Sequence, residues 1–282
     1  MSGSPRPSFD QPTHIPYEAV TRHVWGDEES GRVIDWIYVS SDKVHQLVFS
    51  LPPGGCFRHS NAHRTIFAAD EVYHVVSGTL VIANPETGEV HLVNRGESVF
   101  FRRDTWHHGF NYGSEPLKVL EFFAPPPSRG TSSAYAKTKP NLTQYAYKQD
   151  QWIGRWPMAS KDVESTRTMT ILRDSNIIWR MEGQQRQALT GILASTEQLT
   201  VGKILLLPGQ ETETEVHGGD ESLYLLEGRL TLCVDVPSAT PWFELKPGDG
   251  FYLPQGTPHR YCNISDRPVS AIFCVAPNYL SR

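Results

Sequence analysis

The chain has 282 residues, 39% of them hydrophobic, and a formal net charge of −5, which is typical of a soluble globular protein. This charge argues against a nucleic-acid or anionic-membrane surface, because both require a concentrated basic face. The four cysteines show no Cys-x-x-Cys spacing, so no disulfide framework is expected. The first residues lack the apolar core of a signal peptide, and we expect a cytoplasmic protein.

The first half of the chain is dominated by short β-strands. Residues 1–18 are proline-rich and polar and predict an arm that lies over the surface. β-branched and aromatic residues then favour strands at 33–39, 44–49, 72–82, 90–93, 98–101 and 117–123. Glycine and proline turns separate these runs, and the pattern predicts a sandwich or barrel.

Residues 125–157 change in composition and predict a connector that packs against its surroundings. The strand pattern then resumes at 169–172, 177–181, 198–207, 223–234, 242–245, 250–253 and 269–275, after a short helix within 158–167.

The two halves repeat one another. The stretch Asp70–Gly78 recurs as Asp220–Gly228, with the acidic pair and the glycine at the same spacing. The series Gly96, His107, Asn111 recurs as Gly248, His259, Asn263 with the same intervals. Because matched residues occur in the same order in both halves, the sequence indicates an internal duplication.

Ionisable residues are concentrated ahead of the second acidic pair. Glu211, Glu213, Glu215 and His217 alternate with other residues, and period-two alternation would place them on one face of a strand. Such a face is costly to bury unless a cation or water compensates it. The pattern alone therefore leaves a bound cation, ordered water and a solvent-exposed strand face as alternatives.

Two stretches of the second half resemble the motifs of the cupin superfamily. Residues 248–263 match its second motif, and residues 209–228 match the spacing of its first motif, with Glu215 in place of the first histidine. The resemblance implies an all-β fold of two tandem cupin (double-stranded β-helix, jelly-roll) barrels. We assign 20–125 to the first barrel, 126–160 to a connector and 161–282 to the second barrel.

The resemblance also implies a divalent metal, for which we expect Fe²⁺, with Mn²⁺, Ni²⁺ or Zn²⁺ as alternatives. In the second half, the implied ligands are Glu215, His217, Glu221 and His259, with Glu213 as a competing candidate for the place of Glu215. In the first half they are His59, His63, Glu71 and His107, the three-histidine, one-glutamate set of the superfamily's metal enzymes. We rank the first site ahead of the second as the catalytic one, with the second close behind, although the histidines of the first site are spaced unusually.

Two further residues are candidates for catalysis. Tyr73 has the strand parity of Glu71, so it would point into the barrel and orient a substrate or move a proton, or else fill the core. Arg103 lies near His107 and would pair with a substrate carboxylate, or else lie at the surface.

The function that the resemblance to cupins implies first is that of an Fe(II) dioxygenase acting on a small organic substrate. One alternative is a redox-neutral decarboxylase, lyase or isomerase that acts on a sugar or organic acid. A non-catalytic binding or storage-like protein is the other. We expect a homodimer, with no nucleic-acid or membrane partner.

Overall fold

Antiparallel strands form nearly all of the regular structure. The computed structural model describes residues 4–126, 132–183, 187–236 and 241–281. The strands of the first half are β1 Thr13–Ile15, β2 Thr21–Asp27, β3 Gly31–Ser40, β4 His45–Leu51, β5 Cys56–Phe57, β6 Asp70–Ser77, β7 Thr79–Asn84, β8 Glu89–Asn94, β9 Ser98–Phe101, β10 His108–Asn111 and β11 Leu117–Ala124. Two short helices follow, α1 Ser132–Ala136 and α2 Ser160–Ser165, the second within the predicted range.

The second half repeats the arrangement. Its strands are β12 Met169–Leu172, β13 Ile178–Glu182, β14 Ala188–Ser195, β15 Thr200–Leu206, β16 Asp220–Glu227, β17 Leu230–Val234, β18 Trp242–Leu245, β19 Gly250–Leu253, β20 His259–Cys262 and β21 Val269–Ala276. Residues 127–131 of the predicted connector, and residues 184–186, 237–240 and 282 of the predicted second barrel, lie outside the described ranges. In the part of the chain that is described, no helix is long and apolar enough to cross a membrane.

Each half contains one seven-stranded sheet and one smaller sheet. The first barrel has the orders β12-β9-β6-β11-β4-β3-β2 and β5-β10-β7-β8, and the second has β1-β19-β16-β21-β15-β14-β13 and β18-β17-β20. The all-β prediction of two jelly-roll barrels is confirmed.

The two barrels exchange strands. β1, from the predicted surface arm, pairs with β19 of the second barrel, where Thr13 faces Tyr252. β12, which lies in the range that we assigned to the second barrel, pairs with β9 of the first, where Met169 faces Phe101. β9 and β19 are equivalent strands of the two repeats, so the exchange is reciprocal.

The central strands of the seven-stranded sheets are buried on both faces. In β4, Leu47 and Phe49 join the core inside the first barrel, whereas Val48 joins a cluster shared with Leu199 and Ile272 of the second barrel. Adjacent residues of a strand point to opposite faces, so one face lines the barrel and the other forms the contact between barrels. By the same parity, β6 and β16 direct Glu71 and Glu221 into the two interiors.

Candidate metal centre

The second barrel gathers four ionisable side chains at its mouth. Glu221 lies on β16 and His259 begins β20, while Glu215 and His217 come from the irregular segment before β16. The Glu215 N–H donates to the His259 carbonyl at 2.8 Å, and the His259 N–H donates back at 3.0 Å. Within the described ranges, one group of three or more histidine, cysteine, aspartate or glutamate residues has ligand atoms that all lie within 4.8 Å of one another. It consists of Glu215, His217 and His259.

Glu221 completes this group. Its Oε2 lies 2.9 Å from Nε2 of His259 and 3.3 Å from Nε2 of His217. Its Oε1 accepts a 2.5 Å hydrogen bond from the Tyr261 hydroxyl. Oε2 of Glu215 lies 3.6 Å from Nε2 of His217. Two imidazoles and two carboxylates therefore converge on one point.

The two histidine rings are fixed by backbone carbonyls. Nδ1 of His217 lies 2.8 Å from the Tyr279 carbonyl, and Nδ1 of His259 lies 3.0 Å from that of Thr257. A carbonyl only accepts, so Nδ1 is the donor in each ring and Nε2 is directed to the centre.

Three buried atoms at the centre lack a hydrogen-bond partner among the described residues: Nε2 of His217, Oε2 of Glu221 and Nε2 of His259. Buried polar atoms without partners are rare and costly. A divalent cation would satisfy all three together, and a set of two imidazoles and two carboxylates suits Mn²⁺, Fe²⁺ or Zn²⁺. The residues therefore fit the metal that the sequence implies.

The charges of the group act on one another strongly. Burial opposes charge on His217, but the attraction of the nearby Glu215 and Glu221 carboxylates outweighs it and raises the pKa of His217 to about 10. Burial likewise opposes charge on Glu221, yet the nearby imidazoles hold the pKa of its carboxyl well below the usual range. The two carboxylates thus create a site that favours positive charge.

The predicted strand face over residues 211–217 is not observed. The segment is irregular apart from isolated bridges, with Glu211 and Glu213 exposed and His217 buried. Of the two candidate ligands Glu213 and Glu215, it is therefore Glu215 whose side chain reaches His217.

The first barrel places different residues at two of the equivalent positions. There the His107 N–H donates to the Thr65 carbonyl at 3.2 Å, and the Asp104 N–H donates to the Phe67 carbonyl at 2.8 Å. In the second barrel the corresponding acceptors are the carbonyls of Glu215 and His217, at 3.0 Å each. Thr65 and Phe67 thus occupy the positions of Glu215 and His217 in the second barrel, and the Phe67 ring stacks on His107.

The other two predicted ligands of the first barrel have separate partners. Nδ1 of His59 lies 2.8 Å from Nε2 of His108, and its Nε2 lies 2.8 Å from the Leu142 carbonyl. Nδ1 of His63 lies 3.1 Å from Oδ2 of Asp27. The structure does not bring either histidine to Glu71 and His107, and their role as ligands stays a prediction.

Glu71, Tyr73 and His107 do meet inside the first barrel. The Tyr73 hydroxyl lies 3.4 Å from Oε2 of Glu71 and 3.1 Å from Nε2 of His107, while these last two atoms are 3.8 Å apart. Burial raises the pKa of Glu71 and lowers that of His107 to about 4. The parity prediction for Tyr73 agrees with this position, whereas the Arg103 side chain is 53% exposed and contacts Asp104.

Sequence reasoning missed three residues of the two interiors. Glu121 of β11 is buried, faces Tyr73 across the strand pair and lines a cavity of about 810 Å³ in the first barrel. The signal for Glu121 in the sequence is a single acidic residue within the mostly apolar stretch Leu117–Ala124. Tyr261 has the strand parity of His259, which could have identified it, but no motif marks Tyr279.

Two stretches of the chain, residues 47–123 and 202–275, match the cupin domain (Cupin_2), and together they span more than half of it. The chain belongs to the cupin domain family. Among curated relatives, this cupin is 35% identical over 79 residues to an uncharacterized protein of Methanocaldococcus jannaschii, covering 28% of the chain and 55% of that protein. It is 28% identical over 96 residues to a Streptomyces cyaneus protein named polyketide synthase CurC, covering 34% and 60%. The cupin thus spans less than two thirds of each relative's length.

Solved structures share the fold of this cupin over nearly its whole length. A putative glyoxylate-induced protein from Pseudomonas aeruginosa has a TM-score of 0.66 at 15% identity, covering 100% of this chain and 95% of that one. A mutant of Bacillus subtilis oxalate decarboxylase OxdC has a TM-score of 0.63 at 12% identity, covering 98% and 80%. The Bacillus enzyme has Mn(II) centres. At these identities the likeness establishes the two-barrel fold.

Proposed function

We propose that this cupin is a metal-dependent enzyme whose centre lies in the second barrel and which performs redox-neutral chemistry on a small organic acid. The observation that carries the proposal is the convergence of three buried atoms without hydrogen-bond partners: Nε2 of His217, Oε2 of Glu221 and Nε2 of His259. Mn²⁺ or Fe²⁺ fits this donor set, and the Mn(II) centres of the similarly folded Bacillus decarboxylase support the first. When bound, the cation would polarise a carbonyl or carboxyl oxygen of the substrate.

Glu215 is the residue placed to move a proton. Its side chain is 21% exposed, whereas that of Glu221 is 2% exposed and held by Tyr261. The Tyr279 hydroxyl donates to Oε1 of Glu215 at 3.3 Å. Burial raises the pKa of Tyr279, which therefore keeps its proton and remains a donor. A decarboxylation leaves an electron pair on carbon, and the partly exposed Glu215 carboxylate can take a proton from solvent and pass it to this carbon.

Arg180 supports an anionic substrate. Its guanidinium lies over the Tyr279 ring at 5.6 Å and donates to Glu182. Its side chain is 40% exposed, so part of the charge faces solvent beside the centre. The two carboxylates offset the charge of a divalent cation, and Arg180 adds the positive charge that a carboxylate substrate needs.

The Fe(II) dioxygenase is the second candidate. The sequence favours it through the three-histidine, one-glutamate set of the first barrel. Thr65 and Phe67 replace two ligands there, so we place this reaction after the redox-neutral one. A binding or storage-like protein and a homodimer also stay predictions.

The test begins with metal content after reconstitution with Mn²⁺ or Fe²⁺. We expect about one equivalent in the wild type and in His107→Ala, and none in His259→Ala. Turnover of small carboxylic acids, oxalate included, is then followed by CO2 release and by an oxygen electrode. Product without oxygen uptake supports the proposal. Oxygen uptake supports the dioxygenase, and loss of metal only in His107→Ala contradicts the location.

A further inference from the structure

The interiors of the two barrels carry different side chains at one pair of equivalent positions. In the second barrel Leu223 pairs with Phe273 across β16 and β21, and in the first barrel the corresponding pair is Tyr73 and Glu121. Phe273 lies so close to Gly202 that a Cβ atom there would be 2.3 Å from the ring. The second interior is therefore filled by a phenyl ring at the level where the first carries a carboxyl group.

The first barrel is hollow at this level. Its cavity of about 810 Å³ is comparable to pockets that hold small organic molecules. Aromatic side chains line much of it, including Trp25, Phe49, Phe57, Phe67 and Phe123. Glu121 lines the same cavity, so the site combines an aromatic wall with one deep acidic group.

Glu121 has no partner that would explain its burial. It is 8% exposed, and within the described ranges it takes part in no hydrogen bond or ion pair. Two further buried carboxyl groups, Asp35 and Glu71, lie near enough to interact with it electrostatically. Asp35 pairs with His23, and the Tyr73 hydroxyl donates to Glu71. Three acids in one interior favour a cation, and aromatic faces attract a cation as well.

We propose that the first barrel binds a small organic amine with an aromatic or apolar body, and that it does so without a metal. The ammonium group pairs with Glu121, and the body packs on the aromatic wall near Phe57 and Phe67. The Tyr73 hydroxyl lies between Glu71 and His107, and Phe67 replaces the ligand histidine, so this interior offers an organic cation a better fit than a metal. The site is independent of the centre in the second barrel.

The test uses the full chain after treatment with a chelator and isothermal titration calorimetry at neutral pH. The probes are 2-phenylethylamine, 2-phenylethanol and phenylacetate, which share a ring and differ in the charge of the polar group. We expect the amine to bind at least tenfold more tightly than the alcohol. Glu121→Gln should weaken binding of the amine at least tenfold and leave binding of the alcohol unchanged.

Three further variants control this result. Glu213→Gln removes an exposed carboxylate from the second half and should change nothing. Leu47→Trp, which fills the cavity beside Glu121, should abolish binding of the amine while the metal content of the second barrel is retained. His259→Ala should still bind the amine, which separates this site from the proposed metal centre.

Four outcomes would overturn the proposal. They are equal affinity for the amine and the alcohol, an amine affinity that Glu121→Gln leaves unchanged, tightest binding of phenylacetate, and no binding of any probe. Preference for phenylacetate would indicate instead that the cavity binds an anion through Arg64 and Lys137, which also line it.

Discussion

The Tyr261 hydroxyl donates a 2.5 Å hydrogen bond to Oε1 of Glu221, which leaves Oε2 of the same carboxylate facing His217 and His259. One tyrosine thus orients the most deeply buried carboxylate of the centre. It comes from β20, two residues after His259, so a single strand supplies both one candidate ligand and the group that positions another, Glu221.

Tyr261→Phe should therefore weaken metal binding without removing any ligand. Loss of a hydrogen bond to a ligating carboxylate typically lowers metal affinity about 10–100-fold. The measurement is a competition titration with a chromophoric chelator, using Mn²⁺. Tyr252→Phe is the matched control. The Tyr252 hydroxyl donates a 2.6 Å hydrogen bond to Asp220, whose side chain points to the opposite face of β16 from Glu221. Equal affinities in Tyr261→Phe and the wild type would contradict the positioning role.

Glu121→Leu should stabilise the protein. The carboxyl group is buried and forms no hydrogen bond or ion pair in the described part of the chain, and burial raises its pKa well above the usual value. Replacement of such a group by an apolar one of similar size should raise the free energy of unfolding by about 1–3 kcal/mol. Urea unfolding at neutral pH measures this difference. A destabilised variant would show that Glu121 makes a favourable interaction in the native barrel.

Glu89→Gln should weaken the attachment of β12 to the first barrel in a pH-dependent way. Glu89 accepts hydrogen bonds from the Thr168 N–H and hydroxyl at 2.7 Å each, and from the Met169 N–H at 3.3 Å. Burial would raise its pKa, but these bonds and His91 lower it below 4.5. The variant should lose about 1–3 kcal/mol of unfolding free energy at pH 7.

The sign of the pH effect follows from the lowered pKa. A carboxylate with a depressed folded pKa stabilises fully above its unfolded value of 4.5, and that contribution is lost as the pH falls through the folded value. The stability curves of the wild type and Glu89→Gln should therefore converge below pH 4.5. Denaturant unfolding from pH 7 to pH 3 measures this, with Glu86→Gln in the adjacent turn as the control. A constant difference across the range would contradict the linkage.

Gly202→Ala should destabilise the second barrel. Its Cβ atom would meet the Phe273 ring at 2.3 Å, well inside normal contact. Overpacking of this kind costs about 1–3 kcal/mol. Thermal unfolding measures the loss, and Phe273→Leu introduced into the same variant should recover part of it. Failure of the second substitution to restore stability would show that the strain arises elsewhere.

The repeat and the strand periodicity predict most of the fold. The matched series that end at Asn111 and Asn263 locate both barrels, and strand parity places Glu71 and Glu221 in the interiors. The pairings of β1 with β19 and of β12 with β9 are not predictable in this way. Both β1 and β12 are short strands whose partners belong to the other half of the repeat. Local patterns carry no information on such distant contacts.

In the first half, the motif spacing and the backbone hydrogen bonds indicate different positions. His59 and His63 fit a histidine pair by residue type, yet the backbone hydrogen bonds of His107 and Asp104 end on Thr65 and Phe67. The loop before Glu71 is folded so that the equivalent positions fall later in the chain. In the second half the motif spacing is regular, and the residues that it selects, Glu215 and His217, lie close to His259.

The reciprocal pairing of β1 with β19 and of β12 with β9 has a consequence for the origin of the chain. Each strand precedes its own barrel in sequence and completes the sheet of the other. Two separate single-barrel subunits with the same pairing would form a domain-swapped dimer with two-fold symmetry. The duplicated chain is a covalent form of that dimer, in which assembly no longer depends on protein concentration. A cut between the halves should therefore yield two fragments that fold well only together.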